Sequence, residues 1–153
     1  MPLYLEDFAA GQRFRSDSLR VGADEIKGFA AQFDPQPFHL DEDEAQESFF
    51  AGLAASGWHT AALTMRLLVG SPFEPAGGII GTRAEELVWP RAVRPGDELR
   101  VEGEVLEVRA SRARPEHGIV KAKSTTLNQR DEPVQVLVMN MLVKSRPAAD
   151  QSA

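Results

Sequence analysis

Hydrophobic residues recur with the period of a helix in the first half of the chain and with the period of strands in the second. Over residues 24–33 they fall three and four positions apart, which predicts an amphipathic helix with Asp24 as its N-cap. Over residues 52–71 they cover nearly every face, with Ser56 and Gly57 as start signals. A helix that is apolar almost all round is usually buried, so we expect it at the centre of the molecule.

The second half of the chain alternates apolar and charged residues. Leu99, Val101 and Val105 lie between charged neighbours, and the register changes at Leu106, which predicts a half-buried strand with a bulge. Residues 134–143 are almost continuously apolar, as is typical of a central strand covered on both faces. Further strands are predicted over residues 12–21, 79–89 and 119–127, with turns at 94–97 and 128–131.

One apolar helix and several long strands predict an α+β fold in which an antiparallel sheet wraps the helix. A chain of 153 residues has the length of one domain. We place this single domain at residues 1–146 and predict a disordered C-terminal tail at 147–153. Because one helix covers only one face of the sheet, the strand at 134–143 also predicts a second subunit, and so a homodimer or higher homo-oligomer.

Composition excludes several classes of protein. The net charge of −6 argues against nucleic acid as a partner, because phosphate binding needs a basic face. The absence of cysteine excludes disulfides, thiolate metal sites and a cysteine nucleophile. The N-terminal residues lack the pattern of a secretory signal, and no apolar run approaches the ~20 residues of a membrane span. These features predict a cytoplasmic protein with no membrane partner.

The segment 33–45 brings an acid and a base together. Asp34 and His39 stand five positions apart, separated by Pro35 and Pro37. Each proline removes a donor and biases the preceding residue toward extended geometry, so we expect a stiff turn in place of a regular helix. A carboxylate and an imidazole on one stiff turn are suited to proton transfer.

The same residues resemble a known family. Those that carry the resemblance are Phe29-Ala30, Asp34, Gln36-Pro37, His39, Asp41, Ala45, Ser56-Gly57, Trp89-Pro90 and Arg94-Pro95-Gly96-Asp97. In this pattern the chain resembles the MaoC-like dehydratases and (R)-specific enoyl-CoA hydratases over roughly residues 5 to 145. The resemblance implies a hotdog fold, in which a long helix is wrapped by an antiparallel sheet and two chains pair as a dimer.

The resemblance also implies a hydro-lyase that adds water reversibly to a 2-enoyl-CoA, giving a 3-hydroxyacyl-CoA, in fatty acid metabolism. In that reading Asp34 and His39 are the catalytic acid and base, and the Gly57 N–H stabilises the enolate oxygen. The chain has Gln36 where the family usually has Asn and Ser56 where it usually has His. We expect these differences to bear on substrate choice.

Four residues around the acid–base pair are candidate substrate contacts, namely Gln36, Ser56, Trp58 and His59. Trp58 is otherwise expected in the core, and His59 is expected either to be structural or to line the pocket. No cofactor is predicted, and coenzyme A is expected only as part of the substrate. Whether the carrier is coenzyme A or an acyl-carrier protein stays open, as does which member of the pair is the base.

Two other activities remain open on the sequence. A hotdog thioesterase would use an acid and water to cleave the thioester, and a non-catalytic acyl-CoA-binding hotdog protein would bind it without turnover. No metal site is predicted: the acidic run at 41–44 is better explained as a helix start, because acidic residues suit a helix N-terminus and lack the spacing of a cation loop.

Overall fold

The computed structural model describes residues 1–148 as an α+β fold, which confirms the predicted fold class. Four α-helices follow a 3₁₀ turn at Leu5–Asp7: α1 (Ala23–Phe33), α2 (Pro37–Leu40), α3 (Glu42–Gln46) and α4 (Gly57–Val69). The strands are β1 (Arg13–Arg15), β2 (Leu19–Arg20), β3 (Gly81–Val88), β4 (Glu98–Ala110), β5 (His117–Leu127) and β6 (Pro133–Lys144). Most of the predicted tail, residues 149–153, lies outside the described residues.

The strands form one antiparallel sheet in the order β1-β4-β5-β6-β3, with β2 pairing beside β1 on β4. As predicted for the apolar segment 134–143, β6 is an interior strand, and none of those residues is exposed. The predicted bulge is confirmed, because the pairing of β4 with β5 shifts between Val105 and Glu107. Two hairpins, β4-β5 and β5-β6, therefore form the centre of the sheet, and β3 lies at one edge.

Helix α4 packs against this sheet through one face only. Its buried residues are His59, Thr60, Leu63, Thr64, Leu67 and Leu68. On the opposite face Trp58 is 59% exposed and Val69 is 63% exposed. The prediction of a helix buried on nearly all sides is therefore wrong for the single chain, because the sheet of the same chain covers only one face of the helix.

Two other local predictions need correction. The strand expected over 12–21 is split into β1 and β2, because the Ser16 hydroxyl takes the Val101 N–H at 2.8 Å and interrupts the regular ladder. Helix α1 begins at Ala23, and its N-cap is Gly22, two positions before the predicted N-cap Asp24. The side chain of Glu25 accepts the Gly22 N–H at 3.3 Å, which satisfies a donor that the helix leaves free.

Candidate active site

The segment between α1 and α3 folds as a series of helix ends. Helix α1 stops at Phe33 and Asp34 is its C-cap, with φ −153° and ψ 68°. Pro37 then opens α2, a single turn that contains His39. The sequence predicted a stiff turn here without a regular helix. A one-turn helix forms nevertheless, because proline at the first helical position loses only a donor that has no intrahelical partner.

His39 is buried and held in one orientation. Its side chain is 5% exposed, and Nδ1 lies 2.6 Å from the backbone oxygen of Ala54. Because a carbonyl oxygen can only accept, Nδ1 carries the hydrogen in this contact. The other ring nitrogen, Nε2, lies 3.3 Å from Oδ2 of Asp34. When His39 is neutral, Nε2 therefore carries a lone pair beside the Asp34 carboxylate.

Asp34 is fixed by two further donors. The Ser56 hydroxyl donates to Oδ2 at 2.7 Å, and the Gln36 amide donates to Oδ1 at 2.6 Å. Burial by itself raises the pKa of Asp34, but the hydrogen bonds from Ser56 and Gln36, with the nearby His39, more than offset it and lower the pKa below its ordinary value. The carboxylate is therefore held ionised at neutral pH, because hydrogen bonds to the charged form favour it.

Ser56 also starts the central helix. It is fully buried, and its hydroxyl accepts the Trp58 N–H at 3.2 Å as the N-cap of α4. One hydroxyl therefore orients Asp34 as donor and caps the helix as acceptor. Gly57 is the first residue of α4, so its N–H has no intrahelical partner, and no acceptor for it is found among residues 1–148.

A cationic side chain secures the loop that carries Ala54. The Arg94 guanidinium donates to the backbone oxygens of Phe50, at 2.5 Å, and Gly52, at 2.9 Å. Gly52 has a φ of 149°, a conformation that favours glycine. Residue Ala55 is tied to Val93 by a backbone hydrogen bond of 2.9 Å. These contacts fix the carbonyl that orients His39.

A cavity of about 400 Å³ is lined by His39 of the acid–base pair and by Gly57 at the start of α4, whereas Asp34 is not among its lining residues. The rings of Phe38, Phe50 and Trp89 form its apolar walls. This volume lies within the usual range of ligand pockets, roughly 300–1,000 Å³. The arrangement of an apolar cavity with a few convergent polar groups is suited to an acyl group whose reacting atoms face the pair.

The structure brings together five of the predicted site residues: Asp34, Gln36, His39, Ser56 and Gly57. Gln36 and Ser56 both bind Asp34, and Gln36 also lines the cavity, whereas Ser56 does not.

The other two predicted contacts, Trp58 and His59, do not line the cavity. Trp58 is 59% exposed, so its predicted place in the core is wrong. His59 is buried and stacks on Phe29, with ring centroids 4.7 Å apart. Of the two alternatives for His59, the structural one fits this position. Both residues point away because only one face of α4 meets the pair.

Trp89 is a cavity residue to which the sequence assigned no role. Its indole lies so close to Gly57 that a Cβ added there would be 2.6 Å from Cε2 of Trp89. Trp89 therefore favours glycine at position 57, because any larger residue would require the ring to move. The indole N–H donates to the side chain of Gln135 at 2.9 Å. A glutamine inside an apolar strand is the one sequence signal that could have indicated a buried polar partner.

The acidic run at 41–44 behaves as a helix start. Asp41 accepts the Glu44 N–H at 2.9 Å as the N-cap of α3, and Glu42 pairs with Lys27 at 2.6 Å. Across residues 1–148 no three His, Asp or Glu side chains are grouped as metal ligands. In that same part of the chain, every helix is too short or too polar to cross a bilayer.

Known proteins resemble this chain over nearly its whole length. Residues 7–128 match the family described as MaoC like domain. The crystal structure of a MaoC-like dehydratase from Rhodospirillum rubrum is 57% identical and superimposes with a TM-score of 0.91, over 95% of this chain and 99% of that one. The uncharacterized protein YdeM of Bacillus subtilis is 36% identical over 140 residues, which is 92% of this chain and 98% of YdeM. An (R)-hydratase from A. caviae involved in PHA biosynthesis is 27% identical, with a TM-score of 0.70, over 92% of this chain and 99% of that one.

Proposed function

This chain belongs to the MaoC-like dehydratase family and has the hotdog fold, and from that premise we propose that it adds water reversibly to a 2-enoyl-thioester. The product is the 3-hydroxyacyl-thioester, and the reverse reaction is the dehydration. Membership in the family and similarity to (R)-hydratases support a hydro-lyase role.

The observation that carries the proposal is the geometry of Asp34 and His39. Nδ1 of His39 is pinned to the Ala54 carbonyl at 2.6 Å, so Nε2 faces Oδ2 of Asp34 at 3.3 Å beside the cavity. Both atoms are acceptors when His39 is neutral. A water molecule placed at this pair is held by two groups that can each take its proton.

Hydration requires one proton to leave the water and one to reach the substrate. The water oxygen forms a bond to the β-carbon while its proton passes to the Asp34–His39 pair. The α-carbon, which becomes carbanionic as the double bond is consumed, takes a proton from the same pair. The pair returns to its starting protonation state, so no co-reactant is needed.

Negative charge develops on the thioester oxygen during this addition. The Gly57 N–H stands at the N-terminus of α4, where the helix dipole favours negative charge. Gly57 also lines the cavity, and its N–H has no intramolecular acceptor among the described residues. We therefore propose the Gly57 N–H as the donor that stabilises the enolate oxygen.

The acyl carrier and the assembly are proposals of the same kind. An acyl group attached to coenzyme A or to a carrier protein presents the same thioester to the cavity. A homodimer is proposed because β3 is an edge strand that is exposed along most of its length. Such an edge invites pairing with a second chain. The exposed face of α4 adds apolar surface that a second chain would cover.

The acid–base pair is tested with Asp34→Asn, His39→Ala and the double variant. Each single change should remove most of kcat, and the double variant should be little worse, because groups that act as a unit are not additive. Asp41→Asn and His117→Ala are matched controls, since they change the same residue types without altering the contact between Asp34 and His39. Wild-type kcat in either well-folded single variant would rule out the proposed pair.

A further inference from the structure

A chain of buried polar groups connects the cavity wall to the interior of the sheet. It begins at the Trp89 indole N–H, which donates to Oε1 of Gln135 at 2.9 Å. The Gln135 amide nitrogen donates to the Thr64 hydroxyl at 3.1 Å, and that hydroxyl lies 2.6 Å from the hydroxyl of Thr126. Gln135, Thr64 and Thr126 are each fully buried.

The donors and acceptors of this chain can be satisfied in one consistent order. The Thr64 hydroxyl donates to the Thr60 carbonyl at 2.8 Å, which leaves its oxygen to accept from both Gln135 and Thr126. Gln135 and Thr126 are also directly paired across β6 and β5. The side-chain amide of Gln135 is therefore held at both ends, with its nitrogen bonded to Thr64 and its oxygen bonded to Trp89. A fully satisfied buried network of this kind is rigid.

The fixed indole stands where the proposed reaction takes place. It covers Gly57 so closely that a Cβ would meet it at 2.6 Å, and it lines the same cavity as His39 and the Gly57 N–H. Trp89 itself is 39% exposed and meets the edge of Trp58, with ring centroids 5.2 Å apart. Gln135 is the acceptor of the indole N–H, so this bond adds an angular constraint that the ring contacts alone do not give.

We propose that Gln135 is a positioning residue that acts through Trp89, holding the indole as the wall that seats the thioester beside the Gly57 N–H. The inference rests on the proposed function. Gln135 touches no substrate, whereas Trp89 does. Misplacement of a reacting group by about 1 Å can cost about 10²-fold in rate, so a loose wall should be felt in kcat.

A double-mutant cycle tests this coupling. Trp89→Phe removes the indole N–H and keeps an aromatic ring, while Gln135→Leu removes the acceptor. Each single variant should lower kcat on a 2-enoyl-CoA by at least about tenfold, with a smaller change in KM. In the Trp89→Phe background Gln135→Leu should have little further effect. Asn140→Leu is the matched control, because it is another buried polar residue of β6 and lies outside the network.

A fluorescence measurement keeps the anchoring separate from catalysis. The chain has only two tryptophans, so in a Trp58→Phe background the emission comes from Trp89 alone. Gln135→Leu should lower its anisotropy and shift its emission, and Asn140→Leu should not. Unchanged emission in Gln135→Leu would overturn the inference.

The kinetic outcomes also separate this inference from the proposed function. Losses that multiply in the double variant, or equal losses in Gln135→Leu and Asn140→Leu, would overturn the coupling while leaving the hydratase intact. Wild-type kcat in Trp89→Phe would overturn it even if Gln135→Leu does not fold. A wild-type protein without hydratase activity would refute the proposed function and this inference together.

Discussion

Replacing Ser56 with alanine removes one hydroxyl that has two partners. The hydroxyl donates to Asp34 at 2.7 Å and accepts the Trp58 N–H at 3.2 Å. Loss of an N-cap costs about 1 kcal/mol. Loss of a hydrogen bond to a charged group costs about 1.5–3 kcal/mol more. We therefore expect Ser56→Ala to lower the free energy of unfolding by about 2.5–4 kcal/mol at neutral pH.

Ser71 provides the matched control at the other end of α4. Its hydroxyl also donates once, to the Leu68 carbonyl at 2.7 Å, and accepts once, from the Phe73 N–H at 3.1 Å. Both of its partners are uncharged, so Ser71→Ala should lose only about 1 kcal/mol per hydrogen bond. The difference between the two variants isolates the bond to the ionised carboxylate.

The pH dependence of that difference has a definite sign. Because the pKa of Asp34 is lowered in the folded protein, its bonds stabilise the fold above the ordinary carboxyl pKa. This stabilisation is lost as pH falls through the folded pKa. The extra destabilisation of Ser56→Ala over Ser71→Ala should therefore be full at neutral pH and vanish in acid. Urea unfolding at several pH values measures it.

The same change should affect catalysis. Without Ser56 the pKa of Asp34 rises, so the acid limb of the kcat/KM profile should move to higher pH. Loss of a bond lowers kcat only to the extent that the bond is stronger in the transition state than in the ground state, so Ser56→Ala should lower kcat by no more than about a hundredfold. An acid limb that does not move, or that moves equally in Ser71→Ala, would refute the role given to Ser56.

Three further predictions concern the helix start, the assembly and the buried imidazole. Gly57→Ala and Gly57→Pro both place a Cβ against Trp89, but only the Pro variant lacks the backbone N–H. The kcat of the Pro variant should therefore be lower than that of the Ala variant by about 10²–10³-fold, and equal values would contradict an oxyanion donor. Light scattering at micromolar concentration should give a mass of at least two chains, and Val69→Glu on the exposed face of α4 should shift the mass toward one; a wild-type monomer would exclude the assembly. Burial lowers the pKa of His59 although Glu25 opposes this shift, so the melting temperature should fall as pH drops below about 6.5. His59→Leu should reduce that fall, and an unchanged fall would exclude this role of His59.

Most of the fold could be predicted because its signals are local. Helix α1 followed from apolar spacing, and the bulge in β4 followed from a change of register at Val105. The break between β1 and β2 was missed because it depends on a contact between Ser16 and Val101, 85 positions apart. Alternation alone does not reveal which side chain will compete with the ladder.

From spacing alone, the candidate site could be predicted only where its residues are close in sequence, whereas Ser56 and Gly57 followed from the family resemblance. Asp34 and His39 share one segment, so their proximity was visible from spacing and proline chemistry. The wall formed by Trp89 depends on Gln135, 46 positions away, and on the packing of α4 against the sheet. The expected burial of Trp58 was wrong because the sequence does not show which face of an all-round apolar helix meets the sheet of its own chain.

Addition of water to a conjugated thioester is the reaction that we propose for this protein. It is tested most directly by mixing the wild-type protein with 2-enoyl-CoA thioesters of several chain lengths while following two signals, the absorbance of the conjugated double bond and the release of free thiol. Hydration should remove the double-bond absorbance without thiol release, and Asp34→Asn should lose that activity. Thiol release would identify a thioesterase instead, and tight binding with no change in either signal would identify a binding protein. Either result would contradict the proposed hydration.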